Sequence, residues 1–125
     1  MSEAVLGQEG YALVGAAFEV YNQMGSGFLE EVYQECLERE LRLRDIPFES
    51  QPSLRLQYKG ESLDKWYRPD LCVCGGIIVE LKALKALTDE HRAQMLNYLK
   101  ASTKPVGYLL NFGRAKELEW ERLIL

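Results

Sequence analysis

The chain has 125 residues, a length that suffices for one domain with a hydrophobic core. Hydrophobic residues make up 47% and charged residues 27%, the balance of a globular protein with no apolar run long enough to span a membrane. The net charge of −4 argues against a sequence-independent nucleic-acid coat protein, which should be basic. The N-terminus lacks the basic region and apolar core of a signal peptide, so we expect a cytoplasmic protein.

Hydrophobic periodicity predicts two N-terminal helices, over residues 4–24 and 27–45. In the second helix, Glu30 is followed by the apolar-face residues Tyr33 and Leu37 after three and seven residues. This spacing directs Glu30 toward the core side, where a carboxylate is unusual. The alternative is a helix-start carboxylate that is favoured by the helix dipole.

Alternating and apolar runs predict five strands, and Thr88 is expected to cap a third helix that ends near Ala101. The strands are expected over residues 53–59, 62–74, 76–83, 105–112 and 117–125. The resulting order, α-α-β-β-β-α-β-β, predicts an α/β (α+β) fold in a single domain over residues 1–125.

The three cysteines, Cys36, Cys72 and Cys74, do not suggest a disulfide framework, because their number is odd. The close spacing of Cys72 and Cys74 could indicate a soft-metal site. A zinc site needs about four ligands, however, and His91 is the sole histidine. We therefore interpret the cysteines as small apolar core residues.

Asp70, Glu80 and Lys82 are charged residues within segments that otherwise resemble buried strands. Burial of a charge is costly unless the charge is paired or bound to a metal. A two-residue turn at Gly75-Gly76 would place the two acids on opposite faces of the sheet. A three-residue loop, Cys74–Gly76, would place Asp70 opposite Glu80. Such loops commonly carry a glycine in the left-handed conformation, so we predict this odd-length loop or a bulge.

Two carboxylates on one face favour a hard divalent cation, Mg²⁺ or Mn²⁺, which can bridge phosphate oxygens and activate water. Lys82 would lie on the same face and support the developing negative charge, and Arg68 would face Lys82 across the ladder. The alternative is a cross-strand ion-pair cluster without a catalytic role.

The third helix carries a polar stripe of His91, Gln94 and Tyr98, which are three and four residues apart and share one face. This stripe is either part of a site or the polar boundary of the core. Arg92 belongs to a group of nearby basic residues that could form a local positive patch.

Three motifs resemble those of known families. Pro69-Asp70 followed by Glu80-Leu81-Lys82 resembles the signature of the PD-(D/E)XK nuclease superfamily. The segment 94–98 resembles the Gln-x-x-x-Tyr element of its RecB-like branch, and the segment 27–33 resembles the motif that names the GxxExxY protein family. The resemblance extends from about residue 10 to the C-terminus and implies a restriction-endonuclease-like core, with a central mixed β-sheet flanked by helices.

The resemblance also implies residue roles. The implied metal ligands are Glu30, Asp70 and Glu80, and the implied catalytic residues are Asp70, Glu80, Lys82, Gln94 and Tyr98. We expect substrate contacts from Arg68, His91, Arg92 and Tyr33.

Two functions follow as hypotheses. The first is a Mg²⁺- or Mn²⁺-dependent nuclease that hydrolyses phosphodiester bonds, with DNA favoured over RNA. The second is a non-catalytic module that binds nucleic acid or protein, which the small size and the pI near 5.1 would suit. The apolar C-terminal strand could pair with a second copy in a homodimer, unless it packs on its own helices.

Overall fold

The computed structural model describes residues 4–125, so the first three residues, on which part of the N-terminal expectation rests, lie outside the described residues. The helices are α1 (Gly7–Met24), α2 (Glu30–Leu43) and α3 (Asp89–Ser102). The strands are β1 (Phe48–Ser50), β2 (Leu54–Tyr58), β3 (Glu61–Tyr67), β4 (Leu71–Val73), β5 (Ile77–Lys82), β6 (Val106–Asn111) and β7 (Glu119–Ile124). None of these helices combines the length and apolar character needed to cross a bilayer.

Five strands form a mixed sheet in the order β1-β4-β5-β6-β7. Strands β5 and β6 are parallel, and the other neighbours in this sheet are antiparallel. Strands β2 and β3 form a separate antiparallel pair. This arrangement confirms the predicted fold class, a central mixed sheet flanked by helices.

Both faces of the central sheet are covered, which explains the nearly continuous apolar run in β5. On one face, Val79 and Leu81 pack in a cluster with α1 and α2. On the other face, Ile78 packs in a second cluster with Met95 of α3. Because side chains alternate along a strand, Glu80 and Lys82 share the α3 face with Ile78.

The predicted strand over residues 62–74 is wrong as a single element, because it forms β3 and β4 in two different sheets. The break falls at Pro69. Proline lacks the N–H that a continuous ladder requires, and it restricts Arg68 before it. The separation also contradicts the expectation that Arg68 faces Lys82 across a ladder.

The short strand β1 was missed, because three residues are too few for an alternating pattern. Its partner is β4, and Phe48 of β1 pairs with Val73 of β4. The ends of the remaining predicted helices and strands agree with the structure to within about three residues, the usual scatter of such boundaries.

Candidate functional site

The site is built on the β4–β5 hairpin, residues 70–82. Val73 pairs with Ile77, so the connecting loop consists of Cys74, Gly75 and Gly76, which confirms the predicted three-residue loop. Cys74 and Gly75 have φ angles of 53° and 74°, in the left-handed region that such a turn uses. With this loop length, continuation of the ladder places Asp70 opposite Glu80.

At the open end of this hairpin, side chains replace the backbone ladder. The Asp70 N–H donates to Glu80 Oε1 at 2.9 Å, and the Leu81 N–H donates to Asp70 Oδ2 at 2.7 Å. Each carboxylate therefore fixes the opposite strand through one oxygen, and its second oxygen is available for a further ligand or donor.

The backbone of Asp70 is held from two other parts of the fold. Gln34 of α2 donates through Nε2 to the Asp70 carbonyl at 2.7 Å, and the Gln51 N–H donates to the same oxygen at 3.0 Å. Helix α2 thus positions the start of β4 at Asp70, although sequence periodicity gave no sign of a role for Gln34.

The surroundings of Asp70 and Glu80 disfavour a negative charge on both carboxyl groups at once. Burial and the neighbouring Asp70 carboxylate raise the pKa of Glu80 to about 7, against the lowering effects of the Asp70 N–H and Lys82. Burial likewise raises the pKa of Asp70, and the Leu81 N–H and Lys82 oppose this shift. The hairpin therefore holds two carboxylates at a position where a cation would relieve their repulsion.

A small cleft lies between this hairpin and α3. Its lining consists of Tyr67, Glu80, Lys82, His91, Gln94, Met95, Tyr98 and Leu109. The structure thus brings the predicted α3 stripe together with the acid and the lysine. Gly107 of β6 allows the close packing of α3, because a Cβ at this position would lie 2.4 Å from Met95 Sδ.

The first turn of α3 fixes His91. Thr88 is the N-cap, as predicted, and its side chain accepts from the His91 N–H. His91 Nδ1 in turn accepts from the Thr88 N–H at 3.0 Å, so the imidazole takes the place of the acid in a capping box. The use of Nδ1 as an acceptor leaves the proton of a neutral ring on Nε2.

Tyr67 is a site residue that the sequence did not reveal. Its ring stacks on Tyr98 with a centroid separation of 3.9 Å, and it lines the cleft together with Glu80. Burial, followed by the charges of Glu80 and Asp70, raises the pKa of Tyr67, which keeps it a hydrogen-bond donor. Its place at the end of an exposed strand, before Arg68 and Pro69, gave no pattern that could have identified it.

Asn111 holds the loop that follows Lys82 and is fully buried. Its Oδ1 accepts from the N–H groups of Leu84 and Gly113, and its Nδ2 donates to the Leu84 carbonyl and Glu119. A Cβ on Gly113 would lie 2.3 Å from backbone atoms of Leu84, so the two loops touch here. This network, which the sequence did not predict, fixes the end of the lysine strand.

Glu30 is exposed, which contradicts the expectation that it points toward the core. Tyr33 and Leu37 are buried as predicted, but Glu30 lies at the first residue of α2, on the sheet face opposite α3. Within residues 4–125, no group of three or more His, Cys, Asp or Glu side chains is gathered for a metal. The charge of Glu30 nevertheless contributes to the raised pKa of Glu80.

The structure does not bring three of the predicted substrate contacts into the cleft. Tyr33 is fully buried, stacks on Phe112 at 4.5 Å and donates its hydroxyl to the Gly25 carbonyl. The guanidinium of Arg92 binds Glu121 and Asp89. Arg68 donates to Ser53 outside the cleft. Tyr33 therefore supports the core, and Arg92 joins α3 to β7.

The cysteines have the predicted core character. All three thiols are free, Cys72 is buried, and Cys36 and Cys74 are partly buried. Burial raises the pKa of the Cys72 and Cys74 thiols, so neither is activated as a nucleophile.

Two carboxylates of the candidate site are ligands that suit a hard cation. Asp70 and Glu80 offer oxygen ligands that are already fixed by hydrogen bonds, and water can complete the coordination of Mg²⁺ or Mn²⁺. A site of this kind uses oxygen ligands and does not need thiolates.

Comparisons with known proteins identify both family and fold. No curated protein matches the chain. The fold is similar to that in the crystal structure of SSO0001, with a TM-score of 0.59 and 16% sequence identity over 75% of this chain and 48% of that one. The chain thus spans about half the length of SSO0001, and this likeness concerns the fold alone. A sequence model of the PD-(D/E)XK nuclease superfamily matches residues 7–123, and this chain belongs to that superfamily.

Proposed function

We propose that the chain is a metal-dependent nuclease that hydrolyses phosphodiester bonds in nucleic acid, with residues 1–125 forming one nuclease-like domain. The observation that carries this proposal is the opposed pair of carboxylates, Asp70 and Glu80. Both are partly buried and both have a raised pKa, and Lys82 lines the same cleft as Glu80.

Asp70 and Glu80 would hold Mg²⁺ or Mn²⁺. When bound, the cation would polarise a phosphate oxygen and lower the pKa of a water molecule. Glu30 would add negative charge from the start of α2, because its charge already contributes to the raised pKa of Glu80.

The other cleft residues act on the substrate. Lys82 offers a positive charge to the phosphate and to the charge that develops on it. His91 presents an Nε2–H donor, because Nδ1 is used in the helix cap. Gln94 and Tyr98 supply further polar contacts on the same helix face. Tyr67 lines the cleft together with Glu80.

The motifs at residues 27–33 and 94–98 support assignment to the GxxExxY family and the RecB-like branch. We further propose a cytoplasmic protein that prefers DNA to RNA. Strand β7 is one of the two edges of the sheet. Trp120 and Ile124 in this strand and Leu125 after it are exposed, which supports a homodimer through this strand.

The test is a cleavage panel with single- and double-stranded DNA and RNA, in Mg²⁺, Mn²⁺ or EDTA. We expect cleavage only with metal, and a loss of about 10²- to 10³-fold in Lys82→Ala, the scale seen when a charge-stabilising group is removed. Arg39→Ala is the matched control, because Arg39 is an exposed cation on α2 paired with Glu35. Activity that survives in both Glu80→Ala and Lys82→Ala would reject this site.

A second candidate is a binding module that retains the nuclease fold without activity. The observation in its favour is that the described residues gather two carboxylates rather than three. Calorimetric titration with Mn²⁺ separates the two functions. A binding isotherm that Asp70→Ala abolishes supports the enzyme, and no binding at millimolar Mn²⁺ supports the module.

A further inference from the structure

The β2–β3 arm, residues 54–68, differs in charge from the rest of the chain. It contains four basic and two acidic residues, a local charge of +2, whereas the whole chain carries −4. Its basic residues are Arg55, Lys59, Lys65 and Arg68. The arm is thus a positive segment of an acidic protein, as an anionic partner would require.

The cations of the arm form no ion pairs within residues 4–125, whereas five arginines elsewhere do. The paired arginines are Arg39, Arg42, Arg44, Arg92 and Arg114. The positive charge of the arm is therefore available to an external anion, while most of the other guanidinium groups are neutralised by the protein itself.

Exposed aromatic rings lie among these cations. Trp66 is 55% exposed, and the guanidinium carbon of Arg55 lies 4.4 Å from the centre of its ring. Tyr58 is 63% exposed, and Lys59 Nζ lies 5.6 Å from its ring centre. Proteins that bind single-stranded nucleic acid use this combination. The aromatic rings stack on unpaired bases, and the cations bind the adjoining phosphate backbone.

A bulge in β3 holds Arg55 in place over Trp66. Three residues, Leu63 to Lys65, lie opposite the single residue Leu56 of β2. The carbonyl that the bulge frees at Leu63 accepts from Arg55 Nη1 at 3.2 Å. Arg55 is thus fixed over one face of Trp66, and the exposed part of the ring remains for a ligand.

The arm is anchored beside the candidate active site. Leu54 pairs with Tyr67, and Leu54 and Leu56 pack in the α3-side cluster with Tyr98. Tyr67 lines the cleft, and Trp66 precedes it on the opposite face of the strand. A nucleic-acid strand that leaves the cleft and crosses the arm would meet Trp66 on the arm's other face.

We propose that the β2–β3 arm binds the unpaired nucleotides next to the scissile phosphate, with a base stacked on Trp66 and the backbone near Arg55 and Lys59. This proposal rests on the proposed nuclease function and narrows its substrate to single strands or duplexes with an unpaired segment. An intact duplex offers no free base face to Trp66.

The experiment measures binding without cleavage, by fluorescence anisotropy of a labelled oligothymidylate in EDTA, with Lys82→Ala as the parent protein. We expect Trp66→Ala to weaken binding about ten-fold, the scale of one lost base stack. We expect Arg55→Ala to reduce the slope of log K against log salt by about 0.7, the value for one phosphate contact on a single strand. Tyr11→Ala is the control, because Tyr11 is an aromatic residue on α1 that is 84% exposed.

Equal weakening by Trp66→Ala and Tyr11→Ala would overturn the proposal, and so would equal weakening of blunt duplex and single strand. No binding of any oligonucleotide at low salt would also overturn it. The cleavage panel is independent of these readouts. Binding that depends on Trp66 without any cleavage would reject the nuclease and retain the arm as a nucleic-acid site.

Discussion

Two antiparallel hairpins meet at the cleft. One holds its charged side chains partly buried, and the other holds them in solvent. The β4–β5 hairpin is covered on both faces, and its carboxylates are partly buried against their own repulsion. In the β2–β3 arm, residues 61–66 are all exposed and its cations are solvated. Charge in the first hairpin costs stability, so it indicates chemistry. Charge in the second costs little, because water solvates it.

Matched truncations give the largest expected contrast between the hairpins. Ile78→Ala should lower the free energy of unfolding by roughly 2–5 kcal/mol, because Ile78 is fully buried between β5 and α3. Leu63→Ala should cost less than about 1 kcal/mol, because Leu63 is 39% exposed. Urea denaturation followed by circular dichroism measures both. Similar losses for the two variants would show that the arm is part of the core.

Removal of the buried amide behind the β4–β5 hairpin should have the next largest effect. Asn111→Ala should destabilise the protein by roughly 2–3 kcal/mol, because it leaves partly buried backbone groups of Leu84 and Gly113 without partners. Asn97→Ala is the control, because Asn97 is exposed on α3. Equal stability of the two variants would contradict a supporting role for Asn111.

The smallest expected difference in stability between variants of the two hairpins depends on pH. The pKa of Glu80 is raised to about 7 from an ordinary 4.5, so the native state holds its proton more strongly than the unfolded chain. Its contribution to stability is therefore complete below pH 4.5 and is lost as the pH rises through 7. In EDTA at pH 8, Glu80→Gln should be more stable than the wild type by roughly 1–3 kcal/mol.

Urea denaturation between pH 5 and 8 measures this gain. Glu61→Gln, an exposed acid of the β2–β3 arm, is the control and should change stability little at any pH. A stability difference between Glu80→Gln and the wild type that is the same at pH 5 and pH 8 would show that Glu80 is not held against a desolvation cost.

Several site residues could be predicted from local pattern. Asp70, Glu80 and Lys82 were recognisable because charge in an apolar strand is rare, and the glycines of the turn gave the correct register. His91, Gln94 and Tyr98 were recognisable from helical spacing, which fixes the face that residues share. These features are local, and local geometry follows from sequence.

Glu30, Tyr33 and Arg92 show where local pattern fails. Helical spacing placed Tyr33 and Leu37 on the inner face correctly, but a helix end can leave its first residue in solvent, as for Glu30. Burial of the Tyr33 ring and the pairing of Arg92 with Glu121 depend on elements far away in sequence.

The sequence by itself determined the fold class, the three helices, the three-residue turn and the alignment of Asp70 with Glu80. These follow from periodicity and turn chemistry, which act over a few residues. Only the tertiary structure decided that Pro69 divides one predicted strand between two sheets, that Gln34 and Asn111 hold the site, and that Tyr67 joins it. Those contacts link residues that are far apart along the chain, and packing of the whole fold selects them.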